Sequence, residues 1–265
     1  MTQFYIDGLG VIAPGMPDWR TAREVLRGER EYDPGQVPQP DATMLPPNER
    51  RRAAASVRWA LAAAQQAVSA SSYGAGELAT VFASSGSDGE TLHRICEALA
   101  SPEREVSPTR FHNSVHNAAA GYWTIAAGSR RPSATLCGYD ASFAAGLVEA
   151  ACQVCAERVA VLLVVYDLPY PQPLHAVRPF AQPFVVALLL APEPRPGTLA
   201  CCRISVASGA PAVTGFPGAL RGELASNPAG QSLLLLSMIA CDQEEPVRLG
   251  YVDGCQVVVE PVKWH

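Results

Sequence analysis

Two uninterrupted apolar runs, Val159–Tyr166 and Phe184–Ala191, each eight residues long, constrain this 265-residue chain more than any other feature. Eight residues is the length of a strand, far short of the ~20 that a membrane-crossing helix needs. A run with no polar face has to be buried on both sides, as a strand is inside a sheet covered by helices. Other apolar stretches read as strands at Gln3–Ile12, Leu78–Ala83, Ser133–Cys137 and Leu199–Ala207. Between them lie segments with helical character: Asp18–Gly28, Asn48–Ser71, a stretch ending near Leu99, Asn113–Gly128, Asp140–Arg158 and Asn227–Cys241. In the second of these, Val57, Ala60, Leu61, Ala64 and Val68 recur at helical spacing on one face lined mainly by small residues. Asp18 and Asn227 are placed as N-caps, with Gly28 as a stop and Pro228 at the first helical position. Asp253-Gly254 between Val247–Val252 and Gln256–Val262 reads as a hairpin turn. Helices alternating with buried strands predict α/β layers around one mixed sheet, in a single domain over residues 1–265. Two Pro-rich excursions, Glu29–Pro47 and Asp167–Pro183, are expected on the surface.

Charge narrows the function. A net charge of −5 and pI near 5.6 leave no basic face to displace counterions from nucleic acid. The one basic cluster, Arg50-Arg51-Arg52 with Arg58, reads as a solvated helix face rather than an anion site. The amino terminus has neither a basic segment nor a long apolar core of the kind that targets secretion. Of the eight cysteines, Cys137, Cys152, Cys155, Cys201, Cys202 and Cys255 sit among apolar neighbours, so buried reduced thiols and a cytoplasmic location are expected.

Several short strings could carry chemistry. Ser84-Ser85-Gly86-Ser87-Asp88-Gly89 joins a strand to a helix, where backbone amides can cradle phosphate, but it lacks both G-x-G-x-x-G and the P-loop lysine. It is read as a plain turn. Cys152-Gln-Val-Cys155 lies within a helix without a second pair or a nearby histidine, and is read as structural. His112 and His116 have the i, i+4 spacing of metal ligands, yet the glutamate of H-E-x-x-H is absent, so polar loop contacts or pocket lining are expected. No metal and no cofactor is expected. As nucleophiles the chain offers Cys137 at a strand end and Ser142 at a helix start. Downstream, only His175 and His265 could serve either as a base.

Ile6-Asp-Gly-Leu-Gly-Val-Ile-Ala-Pro14 resembles the opening strand of the β-ketoacyl synthases, with its TGLG…SP signature. Arg51-Arg-Ala-Ala-Ala-Ser56 resembles the start of that family's first long helix, and Asn113-Ser-Val-His-Asn-Ala-Ala-Ala-Gly-Tyr-Trp-Thr-Ile125 its loop and helix before the nucleophile strand. Pro132–Ala150 falls where the family carries its nucleophile elbow. The resemblance spans roughly residues 3–260 and implies a thiolase-like layered α/β fold, truncated to about one half of the full ketosynthase. Counting back from Glu149-Ala150 puts Asp140 where the family has its catalytic cysteine. The family's two catalytic histidines and its lysine belong to a second half that the chain is too short to hold. Asp140 is also expected to cap the helix that follows it.

Scaffold kept and nucleophile lost is the pattern of chain length factors, and the short chain is similar to those of aryl polyene pathways in fatty-acid and polyketide biosynthesis. That resemblance implies a catalytically inactive subunit, a full-length β-ketoacyl-ACP synthase as heterodimer partner, and acyl carrier protein as a possible further one. It also implies pairing along Ser133, Ala134, Thr135 and Leu136, with Phe111, His112, Ser114 and His116 near the partner's acyl chain. Two other readings stay open: an acyltransferase or ketosynthase using Cys137, and an isolated acyl-carrier-docking module.

Overall fold

The computed structural model describes residues 2–209, 218–220, 222 and 224–264. Its strands are β1 (Thr2–Ile12), β2 (Ala79–Ala83), β3 (Ser133–Leu136), β4 (Val161–Asp167), β5 (Phe184–Ala191), β6 (Ala200–Ser208), β7 (Val247–Gly250) and β8 (Cys255–Pro261). The helices are α1 (Trp19–Leu26), α2 (Pro47–Arg52), α3 (Ala55–Ser69), α4 (Gly89–Ala100), α5 (Pro108–Asn113), α6 (Ala118–Ala127), α7 (Ser142–Glu157), α8 (Leu174–Val177) and α9 (Ser232–Ala240).

All eight strands form one sheet in the order β3-β2-β4-β5-β1-β6-β8-β7. β2 runs parallel to both β3 and β4, and β5 is antiparallel to its neighbours β4 and β1. The two apolar runs seen in the sequence are the adjacent strands β4 and β5, every residue of which is buried. Alternate side chains feed two cores. Leu163, Val165, Val186 and Leu188 meet α7, α9 and α1 on one face, while Leu162, Val164, Val185 and Leu189 meet α3 and α6 on the other.

The small-residue face of α3 has a specific use. A Cβ on Gly8 would stand 2.1 Å from the Ala67 carbonyl oxygen, and one on Gly10 2.1 Å from that of Ala63. Glycines two apart on β1 thus meet alanines four apart on α3, which lets helix and strand backbones touch.

The helix expected over Asn48–Ser71 is two helices. Ala53 is extended (ψ 128°), and its carbonyl accepts the Arg58 guanidinium at 2.6 Å instead of continuing the helical ladder. Arg50 reaches back to the Thr43 and Leu45 carbonyls at 2.9 and 3.1 Å, so part of the basic cluster ties down the Pro-rich excursion. The cysteine expectation also needs correction. All eight are unpaired, but only Cys201 and Cys202 are buried, while Cys137 and Cys152 are exposed and Cys155 and Cys255 half-buried. Cys137 has left the strand for the turn, and Cys152 lies on an open side of α7. Among the described residues no helix is long and apolar enough to cross a membrane.

Candidate functional site

The parallel strands β2, β3 and β4 end at the same side of the sheet, the place where open α/β sheets gather functional groups. Their last residues are followed by Ser84-Ser85 and Cys137, and β4 ends on Asp167.

Asp167 is the centre of this cluster. It is 2% exposed, and its Oδ1 accepts the Ser85 amide at 2.8 Å, the Ser85 hydroxyl at 2.7 Å and the Ser84 hydroxyl at 3.1 Å. Burial pushes its pKa up to about 6, outweighing these hydrogen bonds, which pull the other way. The Ser85 hydroxyl continues to the Tyr170 hydroxyl at 3.1 Å, and the Tyr170 ring lies against the turn at Gly86 and Gly89, where any Cβ would overlap it. Asn227 donates to the carbonyls of Asp167 (3.0 Å) and Gln182 (2.9 Å) and caps the turn at Pro228 as expected. The Ser/Gly string is therefore a turn roofed by the second Pro-rich excursion, and Asp88 at its end caps α4 through the Thr91 amide.

The elbow stands beside it. Tyr139 holds left-handed backbone (φ 53°), and Ser142 closes the turn by accepting from the Gly138 amide at 3.1 Å and donating to the Tyr139 carbonyl at 2.7 Å. Ser142 is fully buried in that role. Asp140 does not cap α7, contrary to expectation. The residue before the helix is Ala141, no side chain caps it, and the Asp140 carboxylate turns outward to Arg178 at 2.8 Å. The charge partner wins because the Arg178 guanidinium is already fixed, stacked 3.7 Å over the Tyr139 ring. Arg178, Phe180, Pro228 and Gln231 line a cleft of about 510 Å³ above this pair.

Cys137 is exposed, and its thiol donates to the Ser85 carbonyl at 3.1 Å. His116 is half-buried beside the backbone of Ser84; burial lowers its pKa, which favours the neutral ring. Cys137 and His116 thus border the same dipeptide. His112 instead turns its ring edge to buried Tyr122, centroids 5.8 Å apart, and Phe111 projects outward with 68% of its surface exposed. The Ser114 hydroxyl donates to the Phe111 carbonyl at 2.8 Å. Among the described residues Ser133, Ala134, Thr135 and Leu136 pair only with β2, and their other side is an open edge of the sheet. Among the described residues no three histidine, cysteine or acidic side chains stand together as a metal site.

Asp167, Tyr170 and Arg178 were not singled out in the sequence. Asp167 carried one signal, a lone acid closing an eight-residue apolar run. Tyr170 and Arg178 lie in a Pro-rich stretch with no pattern to mark them.

Residues 24–227 match the family model described as beta-ketoacyl synthase, N-terminal domain. The elbow and the Asn113–Ile125 string lie inside that match, and the opening string Ile6–Pro14 lies before it. No curated protein matches the sequence. Among solved structures, a chain of the ketosynthase (ApeO) in complex with its chain length factor (ApeC) from Xenorhabdus doucetiae gives a TM-score of 0.74 at 24% identity, covering 98% of this chain and 99% of that one. The ishigamide ketosynthase/chain length factor gives 0.73 at 15% identity with coverage of 98% and 99%. The module 1 ketosynthase of the bacillaene synthase from Bacillus amyloliquefaciens FZB42 gives 0.58 at 14% identity, with 81% of this chain spanning 48% of that one. The shared fold is thus the layered thiolase-like one of ketosynthases, matched over nearly the whole of the first two chains and about half of the third.

Proposed function

Because the chain belongs to the β-ketoacyl synthase N-terminal-domain family, we propose that it is a catalytically inactive, chain-length-factor-like subunit. It pairs with an active β-ketoacyl-ACP synthase, stabilises it and shapes its acyl channel in polyketide or fatty-acid biosynthesis of the aryl polyene type. The observation that carries this reading is Asp140, ion-paired to Arg178 at 2.8 Å where the family resemblance puts the nucleophilic cysteine. Moving an acyl group from a thioester to a carboxylate would form a mixed anhydride, an uphill step, and an arginine-bound carboxylate is a weaker nucleophile still. The fold matches to ketosynthase/chain length factor complexes support the same reading.

On this reading the chain contributes surfaces rather than a reacting group. The open edge Ser133–Leu136 extends the partner's sheet, and the segment Phe111–His116 faces the growing chain. The test has two parts. The protein is incubated with acyl- and malonyl-carrier protein and its intact mass recorded; then it is co-expressed with a ketosynthase and the complex isolated. No adduct and a 1:1 complex are expected. A well-behaved monomer that ignores the ketosynthase would favour a carrier-docking module.

A second reading draws on Cys137, whose exposed thiol shares the Ser84-Ser85 segment with His116. It makes the protein an acyltransferase or ketosynthase. A stoichiometric acyl adduct on Cys137 that supports turnover would establish it and overturn the first.

A further inference from the structure

α5 is six residues long, too short to hold its shape by its own backbone bonds. Only Asn113 in it is buried, at 4% exposure, and that residue is polar. Its one large apolar side chain, Phe111, points away from the protein. The neighbouring helix gives little support, since α4 packs against α5 but has a single buried residue of its own, Thr91. No apolar anchor within α5 therefore fixes where this helix stands.

Asn113 supplies hydrogen bonds instead. Its Nδ2 donates to the Arg52 carbonyl at 2.8 Å and to the Thr109 carbonyl at 3.1 Å. Arg52 ends α2, and the chain turns extended at Ala53, so its carbonyl has no donor from a following helical turn. The Tyr122 hydroxyl lies beside the Asn113 side chain, and Tyr122 is itself only 2% exposed within α6. One side chain thus joins α2, α5 and α6. The placement carries into the exposed residues next to it. The Ser114 amide and hydroxyl both donate to the Phe111 carbonyl, at 3.2 and 2.8 Å, and tie its backbone to the turn after Asn113. A hydrogen bond is directional where an apolar contact is not, so this anchor sets the orientation of α5 as well as its depth.

We infer that Asn113 is the positioning residue of this segment: it fixes where Phe111 and Ser114 stand, and through them the product length of the proposed complex. The link to product length rests on the pairing proposed above; the anchoring does not. Asn113 is buried and acts through its neighbours.

Asn113→Leu keeps the bulk and the burial and removes the hydrogen bonds, which separates positioning from packing. Hydrogen–deuterium exchange on the full chain should show the amides of residues 107–117 exchanging at least about tenfold faster than in wild type. Amides of β4 and β5 should not change. Tyr122→Phe, which removes one hydroxyl beside Asn113, is the milder variant and should speed the same amides by a smaller factor. Pairs reconstituted with a ketosynthase are then compared at equal amounts of intact complex. With Asn113→Leu the products should spread over more lengths than with wild type, whereas a purely structural role would lower the yield of complex and leave the lengths alone. Wild-type exchange rates in both variants overturn the anchoring. Faster exchange with unchanged product lengths overturns the link to specificity. If the wild-type chain forms no complex, the pairing falls, and the exchange rates still decide the anchor.

Discussion

Asp167, at the end of β4, is only 2% exposed. Its carboxyl is raised from 3.8 to about 6 by burial, so the folded protein binds this proton more tightly than the unfolded chain. Stability from that source is fully present below pH 3.8 and lost as pH rises through about 6, a swing on the order of 3 kcal/mol. Urea unfolding of wild type and Asp167→Asn between pH 4 and 7 isolates it. Wild type should gain on the variant as pH falls, and a difference constant across the range would refute the assignment. Phe111 is the opposite case. It is 68% exposed, so Phe111→Ala should alter the lone chain's stability by no more than about 0.5 kcal/mol. If its ring projects into the partner's channel, reconstituted pairs with Phe111→Ala should give longer products and those with Ser114→Phe shorter ones. Unchanged lengths from both would reduce the role of this chain to stabilisation. The outward turn of Asp140 was illegible in the sequence because its partner Arg178 lies in a distant, patternless loop. Local rules favoured a helix cap, and a tertiary ion pair overrode them.

At the scale of elements, what could be read were segments whose burial leaves a periodic or continuous trace. β4 and β5 announce themselves as apolar runs, Asp18 caps α1 through the Thr21 amide at 2.7 Å, and the Asp253-Gly254 hairpin falls where its turn residues put it. The break between α2 and α3 could not be read that way. Arginine and alanine both favour helix, and the interruption comes from the Arg58 side chain taking the Ala53 carbonyl. Gly8 and Gly10 of β1 serve close contact with α3. Gly10→Ala places a methyl group 2.1 Å from the Ala63 oxygen, and strand and helix must separate to admit it. The expected cost is about 2–4 kcal/mol, measurable as a lower denaturant midpoint with unchanged slope. A neutral effect would mean that β1 and α3 are not held this closely.

For the molecule as a whole, the unpaired β3 edge and exposed apolar side chains such as Leu92, Leu99 and Phe111 are an association hazard in a chain left alone. Expressed by itself the protein should self-associate in a concentration-dependent way, and on the proposed pairing co-expression with a ketosynthase should replace those species by one 1:1 complex. Light scattering on a sizing column distinguishes the two. The subunit contact should be large, beyond about 2,000 Å² in total, as in obligate pairs. The layered fold was legible at this scale, since alternating helices and buried strands permit few arrangements. What surrounds the elbow was less so, because it is assembled from four separate stretches of chain that share no local signature.

The sheet order has a consequence for how the chain is made. β1 precedes every other described strand in the chain, yet it is flanked by β5 and β6, with Tyr5 opposite both Ala191 and Cys201. α3 can cover β1 early, but no strand pairs with it until β5, which begins at residue 184, has been synthesised. Contacts so distant in sequence make folding slow, and they leave an apolar strand exposed during translation. Synthesis is therefore a vulnerable stage for this protein, and a chain that stops before residue 184 has no strand to pair with β1.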